Sequence, residues 1–289
     1  MTAAPLIAHV SDTARWVAAY RAMETERPDA LFRDPYARRL AGARGQAIVD
    51  GMPMGKAVAW PVIVRTLLID AFIERCIQQD GVDCVLNLAC GLDARPWRMN
   101  LPPTLTWLDV DHPVMIDLKT EELAREKTTC RYEAVSLDIA DVEGRRALFA
   151  RVAGAAKKVL VLSEGLLVYL PEATVIGLAA DLHVHASFAL WLTELASPGL
   201  VKWVGRNWGK KVAAGNAPFV FGPADAPGFF AALGWNEREF SSSILEGVRL
   251  DRTVPFFRIW TFLGRFLGKR RREEIKRFSG VSLLVRRER

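Results

Sequence analysis

The sequence predicts an α/β fold built on a doubly wound, mostly parallel sheet, and three observations carry that reading. Short apolar runs recur along the chain, helical patterns separate them, and there is neither an internal repeat nor a low-complexity linker. The expected strands are CVLNLA (84–89), LTWLDV (105–110), RYEAV (131–135), KVLVLSE (158–164), SFALWLTEL (187–195) and GVSLLVR (280–286), each short and apolar as buried strands are. Helical spacing marks Pro113–Arg125, Glu143–Val152 and Pro171–His183, the last with Pro171 placed as a first-turn proline. These helices are expected on both faces of the sheet.

Ahead of the first strand, residues 11–80 read as helices, and VIVRTLLIDAFIERCIQQ carries apolar residues at helical spacing before ending near Gly81. Residues 196–279 are rich in Trp, Phe, Gly and Pro, break the alternation, and are expected to hold substrate. A length of 289 residues lies near the upper limit of one hydrophobic core, so one domain with additions is expected.

Composition narrows the class. Hydrophobic residues make up 51% of the chain, yet no stretch approaches the roughly 18 uninterrupted apolar residues of a membrane-spanning helix, so a core and no membrane partner are expected. The opening MTAAPLIAHVSDTARW lacks the basic and apolar regions of a secretory signal, and a cytoplasmic location is the default. Cys76, Cys84, Cys90 and Cys130 are too few and too irregular for a disulfide framework or a paired zinc motif, so they are expected reduced and buried. Much of the net charge of +6 comes from GKRRREEIKR (268–277) and RRER (286–289). Glu273 and Glu274 interrupt the first run, which therefore reads as a solvated helix face, with no nucleic-acid partner expected.

A cofactor site is expected at the carboxyl ends of the strands, where open α/β sheets bind ligands. NLACGLDARPWR (87–98) runs strand, turn, helix, with Gly91 where the backbone turns and approaches a ligand. LDVDH follows about 20 residues later, the spacing at which such folds place a carboxylate on ribose. Period 2 puts Asp109 and Asp111 on one face, so that one holds ribose while the other caps the next helix. In AVSLDIAD (134–141), Asp138 suits an adenine amino group and Ile139 its ring, against plain helix capping by Asp138 or Asp141. LSEGLLVYLP (162–171) carries a lone acid, Glu164, at a strand end.

With these residues quoted, the chain resembles the leucine carboxyl methyltransferase family, and within it a bacterial branch of polyketide-type O-methyltransferases such as the tetracenomycin one. The likeness runs through TARWVAAYRAMETERPDALFRDPYA (13–37), RTLLID (65–70), NLACGLDARPWR, WLDVDHP (107–113), SLDIAD, SEGLLVYL, the later NWG and GW elements and the closing SGVSLLVR. It implies a seven-stranded, Rossmann-like class I S-adenosylmethionine (SAM) methyltransferase that releases S-adenosylhomocysteine. Residues 1–80 would form a helical lid, 81–195 the SAM-binding core, 196–279 a substrate cap and 280–289 the last strand. It further implies that Arg65 meets the methionine carboxylate, Ala89 and Gly91 line the methionine side, Asp111 takes ribose, Asp138 and Ile139 take adenine, and Glu164 closes the pocket. Asp109 stands where the family has a Glu, Cys90 where it has a small residue, and Ala94 where it has Thr.

The implied acceptor is a small carboxylic acid or phenol, with the enzyme a monomer or homodimer. Arg206, between Trp203 and Trp208 in KWVGRNWG, suits a substrate carboxylate between indole walls, and Tyr20, Arg21 and Tyr169 are further candidates for the cleft. His183 and His185 end a helix and are base candidates, against the alternative that histidine at a helix C-terminus is a favourable dipole partner. The competing expectations are a protein C-terminal carboxyl methyltransferase, a non-catalytic SAM-binding module, an RNA-binding protein using its basic tail, and an NAD-dependent oxidoreductase, which needs two further glycines that are missing here.

Overall fold

Six apolar runs and one polar run pair into a single seven-stranded sheet of order β3-β2-β1-β4-β5-β7-β6 in a computed structural model that describes residues 10–52, 55–214, 218–254, 257, 259–261 and 268–288. The strands are β1 (Cys84–Leu88), β2 (Thr106–Asp111), β3 (Arg131–Ser136), β4 (Val159–Ser163), β5 (Phe188–Ala196), β6 (Trp235–Ser242) and β7 (Ser279–Arg286). β1 to β5 are parallel, and β7 lies antiparallel between β5 and β6. The order reverses between β1 and β4, so the loops leaving those strands diverge and open a crevice at the carboxyl edge.

Alternation along the central strands builds two cores. Val159 and Val161 join Trp191, Phe149 and Leu178 on one face; Leu160 and Leu162 join Trp107, Phe72 and Ile73 on the other. α6 (Val142–Ala155) and α7 (Glu172–His183) cover the first face, and α3 (Trp60–Asp80) covers the second. α3 ends at Gly81, in the left-handed conformation at φ 72° that glycine accepts without strain. α1 (Val10–Thr25) and α2 (Ala37–Gly51) form a third core with α3 and Trp97 of α4 (Arg95–Arg98). α5 (Pro113–Glu122) follows β2. All four cysteines are free and buried. Among the described residues no helix is long and apolar enough to cross a membrane.

Two details differ from expectation. The stretch 196–279 contributes β6 as well as α8 (Pro198–Ala214), α9 (Ala226–Ala232), α10 (Ser243–Arg249) and a helix at Lys269–Lys276. WNEREFSS is an edge strand with partly exposed polar residues, so it shows no apolar run. Pro171 precedes α7 as its N-cap residue instead of opening its first turn.

Trp191 anchors the first core. It is fully buried, donates from Nε1 to Ser163 Oγ at 2.9 Å and meets Phe230 and Trp235 edge-on at 5.4 Å. Trp191→Ala should cost about 3–5 kcal/mol of unfolding free energy in urea titration, since it leaves a cavity and removes the donor to Ser163 Oγ.

Candidate functional site

The turn after β1 is held by strand β2. Ala89 and Gly91 both take left-handed backbone, at φ 52° and 51°. The Gly91 N–H donates to Asp111 Oδ2 at 2.7 Å, and the His112 N–H donates to Asp111 Oδ1 at 2.7 Å. A side chain at Gly91 would reach 3.3 Å from Ala14 Cβ of α1, so glycine lets the N-terminal helix close over the turn. Asp111 is thus set at the crevice edge, while the helix after it begins at His112 with no side-chain cap.

Asp109 departs from its expected place in a ligand site. It is fully buried and accepts from Lys119 Nζ at 2.6 Å, Asn87 Nδ2 at 2.9 Å and Trp107 Nε1 at 2.9 Å. Its oxygens are thus held by protein donors, and it does not cap α5. Burial disfavours the Lys119 ammonium, but the Asp109 charge and hydrogen bond, together with Cys90 and Tyr132, hold its pKa well above the ordinary value. Lys119 also donates to Cys90 Sγ at 3.0 Å, which pins the turn from below. Burial pushes the Cys90 thiol up, which disfavours its thiolate.

A chain of alternating charges crosses the carboxyl edge. Arg98 donates twice to Asp70 at 2.7 Å, and Asp70 accepts from Arg95 Nε at 2.6 Å. Arg95 Nη1 donates to Asp93 at 2.7 Å and to Glu164 at 2.8 Å. Glu164 accepts from Arg65 Nε at 2.8 Å, and Arg65 Nη1 reaches Glu194 at 2.6 Å. Burial raises the Glu164 carboxyl, but Arg95 and Arg65 together hold it below its usual range. Arg65 thus pairs with neither Asp70 nor Glu74, and its Nη2 has no partner among the described residues. That free corner, at the mouth between β4 and β5, can take an anion.

The remaining candidates scatter. Asp138 is exposed past β3 and closes a turn by accepting from the Ala140 N–H at 2.8 Å, Ile139 packs on the first core, and Asp141 caps α6. Tyr169 stands half-buried beside Arg65 and Glu194; burial pushes its hydroxyl up to about 12, and that hydroxyl makes no hydrogen bond among the described residues. Tyr20 and Arg21 are committed to the protein itself. Tyr20 Oη donates to the Gly55 carbonyl at 2.6 Å, and Arg21 donates to Asp34 at 2.9 Å and the Leu92 carbonyl at 2.6 Å. The Tyr20 hydroxyl is thereby engaged, while Arg21 Nη1 has no hydrogen-bond partner among the described residues. Arg21 clamps α1 to the turn after Gly91, and Asp34 closes a turn of its own by accepting from the Tyr36 N–H at 3.2 Å.

Arg206 is exposed on α8 and Trp203 is 38% exposed, while the Trp208 side chain lies outside the described residues. His183 and His185 sit at the opposite edge, by the start of β5, with His183 against Trp235 and the Arg287 carbonyl.

Sequence reading missed Glu194 and Lys119, although signals exist for both. Glu194 is a lone acid near the end of an apolar strand, as Glu164 is. Lys119 shares the Met115, Ile116, Leu123 stripe of its helix, where only a paired cation is expected.

Residues 14–182 match the family model described as leucine carboxyl methyltransferase. The chain belongs to the leucine carboxyl methyltransferase family. A relative from Streptomyces coelicolor, provisionally assigned as an S-adenosyl-L-methionine-dependent methyltransferase, is 33% identical over 77% of this chain and 82% of its own length. One from Frankia alni with the same assignment is 31% identical over 79% and 83%. The family fold recurs in solved structures. A DUF574 family protein from Streptomyces avermitilis aligns over 96% of this chain and 97% of its own with a TM-score of 0.61 at 14% identity. A Thermobifida fusca protein aligns over 98% and 96% with a TM-score of 0.57 at 13% identity.

The ion chain makes stability depend on acid pH with a defined sign. Burial raises the Asp93 carboxyl, but Arg95, Arg98, Arg21 and Lys119 outweigh it and hold its pKa to about 2. A carboxyl depressed in the folded state contributes stability that is present above its unfolded value and is lost as pH falls through its folded value. Denaturant titrations from pH 3.8 down to about 2 should therefore show a shallower loss of stability in Asp93→Asn than in the wild type.

Proposed function

We propose that this chain methylates an oxygen, carboxylate or phenolic, of a small polyketide-like acceptor, within the polyketide-type branch of its family. The coarser statement stands without the acceptor: the protein is a SAM-dependent methyltransferase, as its family and its relatives' assignments indicate. SAM is its cofactor.

The residues at the carboxyl edge suit that molecule. Arg65 Nη2 is available to a methionine carboxylate, and Glu164 and Glu194 flank the same point with charges that suit an ammonium. Gly91 and Ala89 would line the methionine side, the Asp111 carboxylate would accept from ribose hydroxyls, and Asp138 with Ile139 would meet adenine. The observation that carries the reading is the convergence of Gly91, Asp111, Glu164 and Arg65 on one crevice of a chain belonging to this family.

Bound SAM supplies an electrophilic methyl on a sulfonium. The chain's own task is to hold acceptor oxygen, methyl and sulfur in line and to exclude water, and such positioning supplies roughly 7 to 11 kcal/mol of a barrier. α1, clamped to the turn by Arg21, covers the crevice. A carboxylate acceptor is already ionised at pH 7, whereas a phenol with pKa near 10 gains from a base. Tyr169, its hydroxyl unengaged beside Arg65 and Glu194, is a positioning candidate for the acceptor. Arg206 and Trp203 would meet any part of it that extends over α8.

The test is transfer of tritiated methyl from SAM to a panel of carboxylic and phenolic acceptors, followed by mild alkali. Label released as methanol identifies a carboxyl ester, and label retained on oxygen identifies an aryl ether; either result supports O-methylation. Label on nitrogen or carbon, or none on any acceptor while SAM still binds, overturns it.

A further inference from the structure

The carboxyl edge carries more than the cofactor crevice. Trp203, Val220, Leu245, Ile259 and Trp260 are between 38% and 59% exposed, and the topology brings all five to that edge. α8 leaves the carboxyl end of β5, and the Val220 N–H donates to the Val168 carbonyl just beyond β4. α10 follows β6, whose Ser242 pairs with Gly280 of β7 beside the end of β5. The Phe257 ring packs on Trp60 at 5.4 Å, which sets Ile259 and Trp260 near the start of α3, one turn and a half from Arg65.

Charge collects at the same edge. The Lys269–Lys276 helix runs into β7 at Ser279, opposite Ala196, and buries none of its residues. Arg271 and Arg272 are exposed and form no ion pair among the described residues. In sequence, residues 255–278 hold eight Lys and Arg against two Asp and Glu, so with a whole-chain charge of +6 the remainder is neutral. The positive charge is therefore local.

We propose that this face docks on an anionic lipid bilayer. The apolar side chains enter the headgroup zone, and the Lys269–Lys276 helix faces the lipid phosphates and carboxylates. Aliphatic Val220, Leu245 and Ile259 add nothing to phosphate contact along a nucleic acid but add burial in a bilayer, which favours lipid over RNA. The absence of an 18-residue apolar run excludes spanning and says nothing of lying on the surface, so the expectation of no membrane partner is revised here. Given the methyltransferase reading, docking at this edge presents the crevice to a membrane-partitioned acceptor.

Co-sedimentation with vesicles tests docking without SAM, so its failure and a failure of methyl transfer are read separately. At about 0.1 M salt the full chain should sediment with vesicles of mixed phosphatidylcholine and phosphatidylserine, more weakly with phosphatidylcholine alone, and little with either at about 1 M salt. Arg271→Glu with Arg272→Glu, and separately Val220→Ser with Ile259→Ser, should each lower partitioning about tenfold with unchanged melting temperature. A wild type that stays in the supernatant, variants that partition as it does, or a wild type that prefers poly(uridine) to the mixed vesicles would overturn the proposal.

Discussion

The chain Arg98–Asp70–Arg95–Glu164–Arg65–Glu194, buried at Asp70 and Arg95 and part-buried from Glu164 to Glu194, is the constraint on which the site depends. It ties α3 and α4 to the ends of β4 and β5, so four elements distant in sequence share one charge register. Buried ion pairs give little net stability over apolar packing, because desolvation offsets their attraction. Their effect is geometric: losing one member strands a charge in a dry environment, so each side chain has one satisfactory position. Arg65 is fixed in this way from two sides, and its third nitrogen has no hydrogen-bond partner among the described residues.

A second buried assembly sets the other wall. Asp109, Lys119, Asn87 and Trp107 hold the turn after β1 against β2, while Asp111, two residues on, holds the Gly91 N–H at the rim. The two aspartates lie on one strand face at different depths, and depth separates their roles. Asp109 is consumed by the core, and Asp111 borders the crevice. With Arg21 fastening α1 across the same turn, cofactor wall and N-terminal helices form one connected unit.

The fold was legible because buried parallel strands advertise themselves as apolar runs and their helices as a second period. β6 was not, since an edge strand with partly exposed polar residues has no such pattern. In the site, Gly91, Asp111 and Glu164 were readable from spacing and strand ends. The partners of Arg65 were not, because Glu194 lies 129 residues away and only the sheet order brings it near. Tyr20 shows the reverse limit: a polar side chain in a motif over the cleft can be spent on holding the motif in place.

Calorimetric titration with SAM, and separately with NADH, on the wild type and on Asp111→Ala tests the central claim most directly. The account predicts that SAM binds the wild type, that NADH does not compete, and that Asp111→Ala weakens SAM at least about tenfold, the loss of a charged hydrogen-bond acceptor. A wild type that ignores SAM or prefers NADH, or an Asp111→Ala variant that binds SAM undiminished, would contradict it.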